Sequence, residues 1–486
     1  MIATTDRAAK SAASVAAGPG VRGHWSVARA WQTNAALILI GIALFFLTRQ
    51  LVSEYDHFTI GFSGVSGWSC ILYLGAALLV LTRPVDRLTF PIIVIVAIAC
   101  RLVALLGPPF LSSDVYRYVW DGVVQHAHLS PYRYVPGDAV LAFLRDPYQS
   151  IFNKINRRDY AHTIYPPAAQ ALFYLITWIS PTVLFMKVVV VLFEGITMYA
   201  LVTLLHSLGF RREQTLLYAW CPVLVWEIAG SGHLDSAAMA FIGLALLARF
   251  RKHSVLTGIF LGVAILLKLY PLVLLPALYR RGDFKMPAAV VTVVALGYAA
   301  YSSVGLLVFG FLGGYVAEEG LATGARYFLL ELAQQVPGLH GISARAYFVF
   351  CAAVFAGIVW WCWRIAGSRG SDRKRPFASD GVAGFLPPAF GLASALMFLF
   401  SPHYAWYIVW LVPFFTLMPN LPILTYVLGF FYLYTTALAE PGPKMFLVNK
   451  IIYVSVFAAF IIELVFRRWP IHRRLFVQPV VASESL

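Results

Sequence analysis

TFPIIVIVAIACRLVALLG, residues 89–107, decides the fold: it is an apolar run carrying one charge, Arg101, and it is long enough to cross a bilayer, which takes about 20 residues. Ahead of it lie two more such runs, 33–50 and 65–82. Behind it follow 183–206, 213–230, 235–250, 287–311, 345–363, 384–400, 404–418, 421–438 and 449–466. Two further stretches are short or broken: 166–180, and 255–279, which Lys268 and Pro271 interrupt. Composition agrees. Of 486 residues 60% are hydrophobic and 12% charged, where ordinary globular domains carry roughly 25% charged residues. Mean hydropathy is +0.76. Such a chain has too few polar residues to cover a water-facing surface, so lipid is its solvent. The expected fold is an all-α polytopic membrane protein of about 12–14 transmembrane helices with a large first extracytoplasmic loop.

The segments between the runs set the expected organisation. Residues 1–30 are small, polar and basic and read as a disordered cytoplasmic tail. The first run starts near Ala35 without a clear cleavage site after it, which predicts a retained signal-anchor helix. Residues 31–470 form the transmembrane domain, and 471–486 a second cytoplasmic tail. The net charge of +15 resides in short basic segments between runs, as the positive-inside bias produces, and no basic-aromatic surface for nucleic acid is evident. That bias puts Arg249–Lys252, Arg280–Arg281, the Arg364–Arg375 loop and Arg467–Arg474 in the cytoplasm, and Glu318–Glu319 outside, in the cell's inner (plasma) membrane. Counting forward from a cytoplasmic N-terminus puts the long loop 108–165 outside too. The two counts differ by one crossing between 108 and 212, which 166–180 reconciles if it is re-entrant or interfacial. The five cysteines are scattered in apolar runs and form no disulfide framework or metal-ligand spacing.

Candidate chemistry clusters at the outer ends of the runs. Ser112-Ser113-Asp114 opens an aromatic-rich stretch with Tyr116, Arg117 and Asp121; an Asp at the membrane surface is placed to act as a general base, or is satisfied by Arg117 in an interfacial aromatic belt. Tyr165-Pro166-Pro167 returns the loop to the same face. In Gly230-Ser231-Gly232-His233-Leu234-Asp235 the glycines permit close packing, and His233 and Asp235 either bind phosphate or sugar hydroxyls or serve as a simple turn with an Asp helix cap. Lys268 lies in a Pro-broken apolar segment, where an uncompensated Lys costs about 2.5–3.5 kcal/mol, so a bound anion is the expected partner; snorkelling is the alternative. Arg101, near the outer end of its run, is open to the same two readings. Lys187 and Glu194 share a helix face and read as structural. His403, in Ser401-Pro402-His403-Tyr404, could donate to a phosphate oxygen. A carboxylate base facing Lys and His donors suits expulsion of a phosphate leaving group from a sugar, and this chemistry requires no metal or other cofactor.

These stretches resemble the GT-C superfamily of membrane glycosyltransferases, and among them the bacterial polyprenyl-phosphate-mannose-dependent mannosyltransferases. SSDVYRYVWDG (112–122), SPY (130–132), IYPPAAQALF (164–173), GSGHLD (230–235), LLKLYPLVLLP (266–276) and FSPHYAWY (400–407) occur in family-like order. The resemblance implies a GT-C-like helical fold and inverting transfer of a hexose, mannose, from a polyprenyl-phosphate sugar to a glycolipid or envelope glycan on the outer face. It implies Asp114 as base and Lys268 and His403 as donor-phosphate contacts; the residues themselves offer His233, Asp235, Arg101, Tyr116, Arg117 and Tyr165 as further expected substrate contacts. His233 stands where the family often has Asn, and Ser130 where Asn-Pro-Tyr is commoner. The rival class is a transporter or flippase of a lipid-linked sugar or small solute, which would use the same Lys and His as a path. Paired broken helices in two related halves would favour it; one broken segment and one large loop do not.

Overall fold

The computed structural model describes residues 20–54, 61–318, 320, 323–324, 327–367, 384–435 and 443–466. Regular structure among them is entirely helical. The expected tails 1–19 and 471–486, Glu319, Arg467–Arg474 and most of the Arg364–Arg375 loop lie outside the described residues. The first helix, α1 (Gly20–Ser53), starts inside the expected N-terminal tail.

It packs on α2 (Gly61–Thr82) and α3 (Thr89–Leu106). Pro108 and Pro109 stop α3, because proline lacks the amide its next turn would need. The long loop then folds back as α4 (Asp114–His126), which is largely buried against α5 (Pro167–Ile179) and α6 (Val183–Ser207). The α4 part of loop 108–165 therefore sits inside the protein, where Tyr118, Val119 and Trp120 join Phe173 in a core of their own. Pro167 in the first turn of α5 marks where the chain turns back into the bundle.

Residues 213–240 are buried without interruption. This stretch holds a wide π-helical turn, Val225–Gly230, and then bends by 120° into α7 (Asp235–Phe250). α7, α8 (Ser254–Leu267) and α9 (Lys285–Ala300) pack side by side, with α6 against α7. At Tyr301 the chain bends by 111°, and it then continues through Gly305 and Gly310, both at positive φ, into α10 (Leu312–Glu318). The rest comprises α11 (Ala344–Gly367), α12 (Leu386–Phe400), a tight turn of helix at Ala405–Leu411, α13 (Leu421–Phe430) and α14 (Pro443–Phe466).

Among the described residues six helices are long and apolar enough to cross a membrane, or eight if each bent pair is one span. The expected 12–14 is reached only if the five shorter apolar helices also cross. Breaks explain the difference. The expected run 213–230 is a series of short turns around Pro222, and 255–279 breaks at Lys268, whose backbone is extended ahead of Pro271.

Arg101 and Lys187, both buried in this bundle, have their hydrogen bonds satisfied. Arg101 holds Glu194 through two hydrogen bonds, Nε–Oε2 at 2.9 Å and Nη2–Oε1 at 2.7 Å, and donates from Nη1 to the Ala219 carbonyl at 2.7 Å. Lys187 Nζ donates to the carbonyls of Ala104, Leu105 and Gly107, the acceptors that the end of α3 leaves without amide partners.

Candidate active site

α7 and α8 fix the site to one end of the bundle. They run antiparallel, joined by the basic turn Arg251–Lys252, so Asp235 at the start of α7 and Lys268 just past the end of α8 meet at the far end. At 1.5 Å per residue, that end is about 20 Å from the basic turn. Lys268 Nζ lies 3.2 Å from Asp235 Oδ2, and the Tyr270 hydroxyl approaches Oδ1 at 3.5 Å. The expectation of an uncompensated Lys268 is corrected: its counter-ion is Asp235, one turn of chain away in space though far in sequence. Asp235 is the first residue of α7, and the cap position before it is held by Leu234.

Lys268 lines a cavity of about 230 Å³, far larger than the roughly 30 Å³ of one liquid water. Asp114, at the first turn of α4, lines the same cavity, as do Arg117 and Tyr165. The wall is aromatic: Tyr165, Phe311, Tyr315, Tyr404, Trp406 and Tyr407. Lys268 sits over two of these rings, 5.8 Å from the centroid of Tyr165 and 5.9 Å from that of Tyr407. Asn156, Arg157 and His162 complete the polar part of the lining.

The cations around this space are each held by an acid. Arg117 Nε bonds Asp121 Oδ1 at 2.7 Å and its Nη1 bonds the Ala161 carbonyl at 3.0 Å. Arg157 Nε bonds Glu318 Oε2 at 2.7 Å, and the Tyr160 hydroxyl donates to the other oxygen at 3.0 Å. Partial burial works against the Arg157 charge, and Glu318 together with Tyr404 outweighs it, raising the pKa. The Arg157–Glu318 contact also joins two segments expected on the same face, one from the charge bias and the other from the count of crossings. Asp114 differs: it makes no ion pair among the described residues, and its carboxylate has Asn156 Nδ2 at 3.4 Å. It is the lining carboxylate left able to accept a proton.

Other expected contacts fall elsewhere. Arg101 is corrected: it does not line the cavity, because Glu194 and the Ala219 carbonyl engage its guanidinium in the core. Tyr116 packs into the loop's core, its ring under Lys154 Nζ at 5.2 Å. His403 is buried beside Tyr404 and is not part of the lining. His233 lies behind the wall, stacked on Trp406 at 4.6 Å, with its Nε2 3.3 Å from Glu227 Oε2. The close packing expected of the glycines is present: a Cβ on Gly232, at φ +81°, would meet Lys187 and Val115 at 3.0 Å, and one on Gly230 would meet the Phe110 ring at 2.6 Å.

Asn156, Arg157, His162 and Tyr315 were not anticipated. The first three lie in the loop singled out for its length, but Arg157 depends on a backbone at φ 53° that no motif announces. Tyr315 lies three residues before Glu318, on α10, whose bend over the cavity needs Gly310: a Cβ there would be 1.7 Å from the Thr163 carbonyl oxygen.

A multi-spanning helical protein with an aromatic-lined hollow holding a carboxylate at one end of the bundle has the build of a GT-C-type membrane glycosyltransferase. Residues 163–402 match glycosyltransferase family 87, and residues 18–280 match the alpha-(1->6)-mannopyranosyltransferase family, N-terminal domain. The second match spans more than half of the chain, and the chain belongs to that family of mannosyltransferases. No curated protein and no solved structure matches it.

Proposed function

We propose that this mannosyltransferase takes its mannose from a polyprenyl-phosphate sugar and adds it to a hydroxyl of a glycolipid or envelope glycan, with inversion, on the extracytoplasmic face. Asp114 accepts the proton of the acceptor hydroxyl. The hydroxyl oxygen forms its bond to the sugar's C1 as the bond from C1 to the phosphate oxygen breaks, and the electron pair leaves with the polyprenyl phosphate. Negative charge grows on that phosphate, where the Lys268 ammonium and the guanidinium groups of Arg117 and Arg157 stabilise it. The aromatic wall stacks on the sugar and keeps water from competing with the acceptor. The family description names an α-(1→6) linkage; an inverting enzyme making an α product needs a β-linked donor and, for this linkage, a primary hydroxyl as acceptor.

The observation that carries the proposal is the meeting of Asp114, unpaired, with Lys268 in one aromatic-lined cavity. Purified protein given radiolabelled polyprenyl-phosphate mannose and a membrane lipid extract should yield a new labelled glycolipid. Movement of label across a vesicle without a new covalent product would instead support a flippase.

A further inference from the structure

Behind the cavity wall lies a carboxylate to which the reaction assigns no part. Glu227 sits in the π-helical turn Val225–Gly230 with its side chain fully buried. π-turns are rare and concentrate at functional sites. A carboxylate buried without a Lys or Arg partner is expensive for the fold. The nearby cation is taken, since Lys268 pairs with Asp235.

What Glu227 touches leads back to the cavity. His233 Nε2 is 3.3 Å from its carboxylate, and Tyr434 also faces it. Both neighbours contact Trp406: the His233 ring is stacked on it at 4.6 Å and 21°, and Tyr434 lies at 6.5 Å. Trp406 is in turn stacked on Tyr404 at 4.3 Å and 13°. Trp406 and Tyr404 line the cavity. Glu227 thus braces, through two rings, the indole that faces the substrate space.

We infer that Glu227 is a positioning residue, which through His233 sets the angle of Trp406 against the sugar of the donor. This rests on the proposed use of a lipid-phosphate mannose. The imidazole, with the carboxylate 3.3 Å from its Nε2, is packed face to face on the indole; the indole presents its own face to the ring of the sugar. Losing the carboxylate frees the imidazole and loosens the platform without touching the base or the leaving phosphate, so the loss falls on donor binding.

The test is a double-mutant cycle of Glu227→Gln and Trp406→Phe in the full-length protein in detergent, with polyprenyl-phosphate mannose as donor and thermal unfolding as the check on folding. Each single change should raise donor KM about three- to tenfold with kcat within about twofold, the size of one aromatic contact, and the double variant should be no worse than the poorer single. Multiplying effects, an unchanged KM, or a loss confined to kcat would overturn the inference. If Glu227→Gln does not fold, Glu227→Asp, which keeps the carboxyl group but shortens its reach, takes its place; failure of both to fold makes Glu227 structural and overturns it as well. Absence of transfer by the wild type from this donor removes the donor assignment and this inference together, whereas an active wild type with an additive cycle removes only the inference.

Discussion

Lys268 reaches across from the end of one helix to Asp235 at the start of its neighbour, 3.2 Å away, and presents the paired ammonium to the cavity that Asp114 also lines. Its side chain is 13% exposed and that of Asp235 is 1% exposed, so the exposed end of the pair is the cation. Asp235 is the counter-ion of the ammonium in the resting protein, and under the proposed reaction the donor phosphate is the second anion it meets.

Removing one member of such a pair leaves the other charge stranded, typically at about 3–5 kcal/mol. Asp235→Asn or Lys268→Met alone should therefore lower the unfolding temperature in detergent. The double variant should recover much of that stability and still fail to transfer mannose. Recovery of transfer along with stability would make the pair structural only.

Arg101 provides the contrasting case. Its guanidinium is committed to Glu194 and to the Ala219 carbonyl in the core. Arg101→Met should reduce the yield of folded protein, with about 3–5 kcal/mol lost, while the folded fraction keeps a wild-type donor KM. A stable variant with a raised donor KM would return Arg101 to the site.

The bend that brings Phe311 and Tyr315 to the cavity depends on Gly310, at φ 51° and with the Thr163 carbonyl oxygen 1.7 Å from where a Cβ would stand. Phe311 N donates to that same oxygen at 3.1 Å. Gly310→Ala should separate these segments, cut transfer at least tenfold by the misplacement argument, and speed hydrogen exchange around residues 160–164 and 310–318. Gly195→Ala, in the middle of α6 with nothing within 4 Å of the added carbon, is the control and should be neutral or slightly stabilising. Equal behaviour of the two variants would contradict the role given to Gly310.

Uninterrupted apolar runs were legible as helices. Runs such as 89–107 and 183–206 became α3 and α6 because nothing in them breaks the hydrogen-bond ladder. Runs that carry part of the site were not. The segments around Pro222, Gly310 and Ala405 have the hydropathy of spans but break into short turns, whereas the break at Lys268 and Pro271 was legible from the charge and the proline. Asp114 and Lys268 stood out because a charge beside or inside an apolar run is costly and asks for a reason. Their partners did not: Glu194 lies 93 residues from Arg101 and Glu318 lies 161 from Arg157, and pairings over such separations are set by packing. Glu227, inside the apolar run 213–230, is costly in the same way, but nothing in the sequence names the imidazole that lies beside it.

The central claim is that Asp114 takes the acceptor's proton. The most direct measurement compares wild type with Asp114→Asn, recording mannosyl transfer and, separately, binding of the lipid-phosphate donor. Asparagine keeps the shape and the contact with Asn156 but cannot accept a proton. Transfer should fall by about 10²–10⁴-fold while donor affinity and unfolding temperature stay near wild type. Transfer at the wild-type rate, with the variant folded and the donor bound, would contradict the account.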